Sequence, residues 1–149
     1  MGIARSSFYG AWGSKHAVLI AALRHYTDEL YERMRAAAQA AGEPRRALVA
    51  VIEIAACTER PSHGCFFVNT TTELAPADGA VRSLARDHLS RVDRLVAGLL
   101  RAAGFTAPGA RQRSAALLAL ATGAITLRKA GEPEARIRAL LGAVSLLLG

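Results

Sequence analysis

Residues 78–100 read DGAVRSLARDHLSRVDRLVAGLL. Val81, Leu84, Ala85, His88, Leu89, Val92, Leu95, Val96, Leu99 and Leu100 recur at spacings of three and four, which lays one apolar stripe along a helix. The opposite side carries Arg82, Arg86, Arg91, Asp93, Arg94 and Arg101. The stretch therefore reads as a long amphipathic helix lying on a core, with a solvated basic face. Outward from it, breaks fall at Gly13-Ser14, Gly42-Glu43-Pro44, Arg60 to Gly64, Pro76 to Gly79, Gly104 to Gly109, and Gly131-Glu132-Pro133. These bound predicted helices over residues 3–9, 14–41, 44–58, 65–75, 78–103, 108–130 and 133–148. No alternating strand pattern competes, so the fold class expected is all-α.

Composition agrees. The chain of 149 residues allows one main domain, alone or with the remnant of another. Hydrophobic residues make up 52% of it but aromatics only 5%, so the core must be built from Ala, Leu and Val, a set that favours helix. The net charge of +7 suits a polyanionic partner and serves solubility equally well. Two cysteines, Cys57 and Cys65, and no secretory pattern at the start point to a reducing, cytoplasmic setting without a disulfide framework. The apolar runs around Ala47 to Cys57 and Ala115 to Leu127 fall short of spanning length, so no membrane span is expected.

The last two helices are apolar on more than one side. Ile137, Leu140, Leu141, Val144 and Leu148 form one stripe that Ala143, Leu146 and Leu147 widen, and the preceding helix carries Leu117, Leu118, Leu120, Ala121, Ala124, Ile125 and Leu127. Such surfaces need a second cover. A twofold partner supplies one, which predicts a homodimer through Leu117, Ala121, Ile125, Ile137, Leu140, Leu141, Val144 and Leu148. Burial within a single chain is the competing explanation.

The N-terminal segment, Gly2-Ile3-Ala4-Arg5-Ser6-Ser7-Phe8-Tyr9-Gly10-Ala11-Trp12-Gly13-Ser14-Lys15, joins a tight Gly turn, a short polar helix, an aromatic stop and a Gly-Ser-Lys helix start. It resembles the recognition helix and following helix of the TetR family of transcriptional regulators. A second stretch, from His63-Gly64-Cys65-Phe66 through Asn69 to Glu73 and Pro76, resembles the short central helix of many members. The resemblance implies a TetR-like helical bundle with a partial helix-turn-helix. Residues 1–41 would form the partial DNA-binding head and linking helix, and residues 42–149 the ligand-binding and dimerisation domain. Arg5, Ser6 and Ser7 would face bases or backbone in the major groove, Tyr9 would reach a phosphate, and Lys15 would meet a phosphate at a helix start capped by Ser14. Trp12 takes the anchor position, while Ala11 departs from the His or Tyr common there. Because the segment opens within the turn, specific operator binding is expected from the full-length form and is expected to be impaired in the chain as given.

The same resemblance implies a ligand-responsive repressor that binds double-stranded DNA and a small apolar or amphipathic effector. The candidate ligand-binding residues are Glu53, Cys57, Phe66, Asn69, Thr70, Glu73 and His88. Glu53 stands among Val51, Ile52, Ile54 and Ala55, where a buried carboxylate needs a partner. A structural ion pair and ligand recognition both answer that need. Asn69 to Thr72 can line a pocket or bond to carbonyls one turn back, and His88 replaces an apolar residue in a regular stripe. The cavity is expected between the helices over 44–58, 65–75 and 78–103. Cys57, His63 and Cys65 match no familiar metal spacing, so neither metal nor cofactor is expected. Without a nucleophile elbow, a phosphate loop or a His-Glu-x-x-His pattern, an enzyme is not expected either. A helical ligand-binding or protein-interaction module with no DNA role is the rival reading.

Overall fold

The computed structural model describes residues 14–56 and 64–148. All regular structure among them is helical: α1 (Lys15–Ala41), α2 (Pro44–Ala55), α3 (Phe66–Leu74), α4 (Gly79–Ala102), α5 (Ala107–Lys129), α6 (Glu134–Gly142) and α7 (Val144–Leu147). The helix expected over residues 3–9 lies outside the described residues.

Short polar side chains start these helices. Ser14 Oγ accepts the Ala17 amide at 3.0 Å, and the Glu43 carboxylate accepts those of Arg45 and Arg46 at 2.9 Å each. Asp78 Oδ1 accepts from Ala80 and Val81, and Thr106 Oγ1 from Gly109. Each satisfies amides that the first helical turn leaves without a carbonyl. Three exits among the described residues use glycine, the first at Gly42 (φ 69°) after α1. At Gly104 (φ 97°) and Gly131 (φ 89°) the chain turns left-handed, and the next amides, Phe105 and Glu132, bond back to Leu100 O and Leu127 O.

α2 packs along α1 and also touches α4 and α5, α4 pairs with α5, and α6 and α7 fold back on α5. Their shared core is aliphatic, built on Met34, Leu48, Val51, Ile52, Val96, Leu100, Leu117 and Ile137. α3 lies across α1 and α4 and closes a smaller cluster of Leu23, Cys65, Phe67, Val81, Leu84, Ala85 and Ile125. No described helix is long and apolar enough to cross a membrane.

Several expectations are corrected. The last helix is not continuous: Ala143 N bonds to Leu140 O and Leu146 N to Ala143 O, three residues back, so the chain tightens just after Gly142. Leu89 lies outside the stripe at 44% exposure. The basic face of α4 is only partly solvated, because Arg91 pairs with Asp28 and Asp93 Oδ1 accepts the Ser114 hydroxyl at 2.6 Å. Leu117, Ala121, Ile125, Ile137, Val144 and Leu148 are buried in the chain's own core, and Leu140 and Leu141 are half-buried. Six of the eight predicted interface residues therefore have no surface to offer a partner; α5 and α6 spend their stripes on α2, α4 and each other.

One buried cation holds the bundle's end. Arg128, 8% exposed, donates through Nη1 to Ala56 O at 2.9 Å and forks onto Glu134 through Nε and Nη2 at 3.0 and 3.2 Å. It thus caps the end of α2 and ties α5 to α6.

Candidate functional site

α1 and α4 run side by side in the same direction and are joined at two levels. Near their starts, His16 Nε2 meets Asp78 Oδ2 at 2.7 Å. The Val81 amide and then His16 hold the Asp78 carboxyl below its ordinary value. About three turns on, Arg91 pairs with Asp28 and its guanidinium lies 4.3 Å from the Tyr31 ring centroid. Between these struts opens a cleft of about 290 Å³. Its α1 wall is Ile20, Arg24, Thr27 and Asp28, spaced at three and four, and its α4 wall includes Ala80, Ser83, Leu84 and His88.

His88 is the chemically distinctive member. It is 4% exposed, meets Phe67 edge-on at 4.6 Å between centroids, and its Nδ1 is buried without a hydrogen-bond partner. Burial, reinforced by the nearby Arg91 charge and partly offset by Asp28, lowers its pKa to about 4. The ring is therefore neutral near pH 7, with one donor and one acceptor nitrogen.

Behind the cleft, α3 is held by its own contacts. Tyr26 Oη lies 3.4 Å from Cys65 Sγ, and the Tyr26 and Phe66 rings meet edge to face at 5.5 Å. Thr70 is buried, and Thr72 Oγ1 bonds back to Val68 O at 2.8 Å. Asn69 Oδ1 accepts from Lys129 Nζ at 2.9 Å, which ties α3 to α5.

The predicted ligand residues do not form one cluster. Phe66, Thr70 and His88 gather where α3 crosses α1 and α4, but of these only His88 lines the α1–α4 cleft. Glu73 is exposed. Glu53 is exposed too, because α2 turns Ala47, Leu48, Val51 and Ile52 inward. Its carboxylate faces an outer groove with Val49, Arg138 and Ser145, remote in the fold from α3. Among the described residues a cleft lies between α1 and α4, while residues 57–63, which the cavity expected between the helices over 44–58, 65–75 and 78–103 would adjoin, lie outside the described residues. Cys57 and the predicted DNA contacts Arg5, Ser6, Ser7 and Tyr9 lie outside the described residues, and Lys15 is exposed at the first position of α1. Sequence reasoning missed Arg24, Asp28 and Arg91. The signal available was Thr27, a polar residue set between Leu23 and Leu30 in the buried stripe of α1.

Residues 43–140, more than half of the chain, match the family model for the C-terminal domain of LmrA/YxaF-like transcriptional regulators, a TetR-type domain. The chain belongs to the TetR family of transcriptional regulators. The match begins at Glu43, the cap of α2, and ends within α6, so it takes in α2 to α5 and both walls of the Arg128 anchor. α1, which supplies half of the cleft of this regulator, precedes the matched segment. No curated protein and no solved structure matches the chain.

Proposed function

We propose that this TetR-family chain is a ligand-responsive transcriptional repressor, dimeric, in which occupation of the α1–α4 cleft governs DNA binding. The observation that carries the reading is the cleft itself. It contains a buried neutral histidine with an unsatisfied nitrogen, and one of its walls is the helix that leads directly from residues 1–13. A ligand that parts or tightens α1 against α4 would work against the His16–Asp78 and Asp28–Arg91 struts and so re-aim the segment before Lys15. In that segment Arg5, Ser6, Ser7 and Tyr9, with Lys15, are the proposed DNA contacts.

The dimer face in this reading is the outward side of α5, α6 and α7. Ala119, Thr122 and Thr126 are exposed on α5, with half-buried Gly123 between them, and Ala139 and Gly142 are exposed on α6. On α7, Leu146 is 83% exposed. A Cβ added at Gly123 or Gly142 would meet nothing within 4 Å. A mid-helix glycine such as Gly123 costs helix stability and has no use for its small size inside the chain, so close approach of a second copy is the use we assign it.

Fluorescence anisotropy tests the regulator reading, with a duplex taken from upstream of the reading frame and a scrambled duplex at two salt concentrations. The chain is measured alongside a form extended upstream. Selective binding that Arg5→Ala and Tyr9→Ala abolish supports the reading. Equal, salt-sensitive binding of both duplexes by every form contradicts it.

A further inference from the structure

The chemistry of the α1–α4 cleft restricts what it can hold. Its walls carry two cations, Arg24 and Arg91, and two carboxylates, Asp28 and Asp87, and Arg91 is already paired with Asp28. The cleft therefore offers no net charge to attract an ion. Ile20, Ala80 and Leu84 give it an apolar surface, and about 290 Å³ falls just under the roughly 300 Å³ at which drug-sized sites begin, so only a small molecule fits. Beside that surface stands His88, buried, with Nδ1 unpartnered and its ring braced by Phe67. A neutral imidazole needs an acceptor for one nitrogen and a donor for the other, and a hydroxyl can serve as either. A carboxylate would bring a charge that the uncharged ring cannot balance, and an ammonium offers donors only.

We propose that the α1–α4 cleft binds an uncharged, hydroxylated molecule about the size of a single ring, its hydroxyl completing the hydrogen bonding of His88 while its hydrocarbon lies on Ile20 and Leu84. The inference rests on the reading of this cleft as the sensory site and adds to it the class of ligand. It assigns His88 the polar contact that selects the ligand, with Thr27 and Ser83 beside it in the same walls.

Three probes with one ring and different head groups separate the possibilities: cyclohexanol, cyclohexanecarboxylate and cyclohexylamine. Long-range proton–nitrogen spectra of the labelled chain follow the His88 ring nitrogens, and methyl spectra follow Ile20 and Leu84. Cyclohexanol is expected to move all three sets of signals saturably, and the two charged probes to leave them in place at the same concentration. In Ala80→Phe, a change at an exposed position on the cleft wall, cyclohexanol should no longer move His88. His88→Phe should weaken the cyclohexanol response at Ile20 and Leu84 at least tenfold while its melting curve stays cooperative. Equal or stronger shifts with a charged probe, no shift with any probe, or equal cyclohexanol binding in wild type and Ala80→Phe would each overturn the proposal. No DNA enters the measurement, so its failure is distinct from failure of the regulator reading, which the duplex experiments decide.

Discussion

Burial of a neutral histidine makes stability depend on pH between its folded and ordinary pKa values, and His88→Phe isolates the effect. In the folded chain the His88 pKa is about 4, against an ordinary value of 6.5. Between these two values the unfolded chain binds a proton that the folded chain refuses, so the contribution is fully present above 6.5 and is lost as pH falls toward 4. At about 1.36 kcal/mol per unit, the whole shift corresponds to roughly 3 kcal/mol, of which about 2 kcal/mol disappears between about pH 7 and pH 5. Glu43 and Glu134 have carboxyls held below their ordinary 4.5, so they lose their stabilising role only at lower pH. Asp28 and Arg91 face the ring, and His16 and His25 lie against Asp78 and Glu29; all are common to both forms and cancel in the difference. Urea unfolding of wild type and His88→Phe at a series of pH values measures that difference. Phe preserves a ring to pack on Phe67 and removes the titration. The expected result is a wild-type loss of about 2 kcal/mol between about pH 7 and pH 5 that the variant lacks. Parallel curves for the two proteins would refute the assignment of a buried neutral ring.

Gly123→Ala is expected to raise the stability of the isolated chain by roughly 0.5–1 kcal/mol. It should also weaken self-association at least tenfold, because in the proposed dimer two new methyl groups meet at the contact plane. Gly98→Ala, where a Cβ likewise meets nothing within 4 Å, is the control, stabilising without changing association as read by sedimentation velocity. Arg128→Met should lower the melting temperature by more than Glu134→Gln, since it strips the buried cap from Ala56 O as well as the ion pair. The loss caused by Glu134→Gln should vanish as pH falls below 4.5 through the depressed pKa of Glu134, as thermal scans across the acid range will read.

The helical order was legible because its causes are local. Ser14, Glu43, Asp78 and Thr106 cap the helices, Gly104 and Gly131 end two of them, and the stripe from Val81 to Leu100 faces inward apart from Leu89 and the partly covered positions beside it. The use of the apolar surface was not legible. Periodicity marks Leu117, Ile137 and Val144 as buried but does not say by what, and the chain's own α2 and α4 cover what a partner copy was expected to cover. Glu53 misled for a related reason: apolar neighbours in sequence lie around the helix, not beside it in space, and the helix turns its carboxylate outward. His88 was legible as a polar break in an apolar stripe. Its cleft was not, because the opposite wall comes from α1, some 60 residues earlier, and no local pattern records which helices lie side by side.

The central claim, that the α1–α4 cleft controls DNA binding, is tested most directly by the dissociation constant for the selectively bound duplex with and without saturating cyclohexanol, in wild type and Ala80→Phe. Coupling between cleft and DNA is reciprocal, so a ligand that prefers the DNA-free arrangement must weaken duplex binding by the factor by which the duplex weakens the ligand. The account predicts an increase of at least fivefold in the wild-type constant, near the lower end of ordinary coupling, and no change in Ala80→Phe. An unchanged constant in wild type, or the same increase in both proteins, would contradict it.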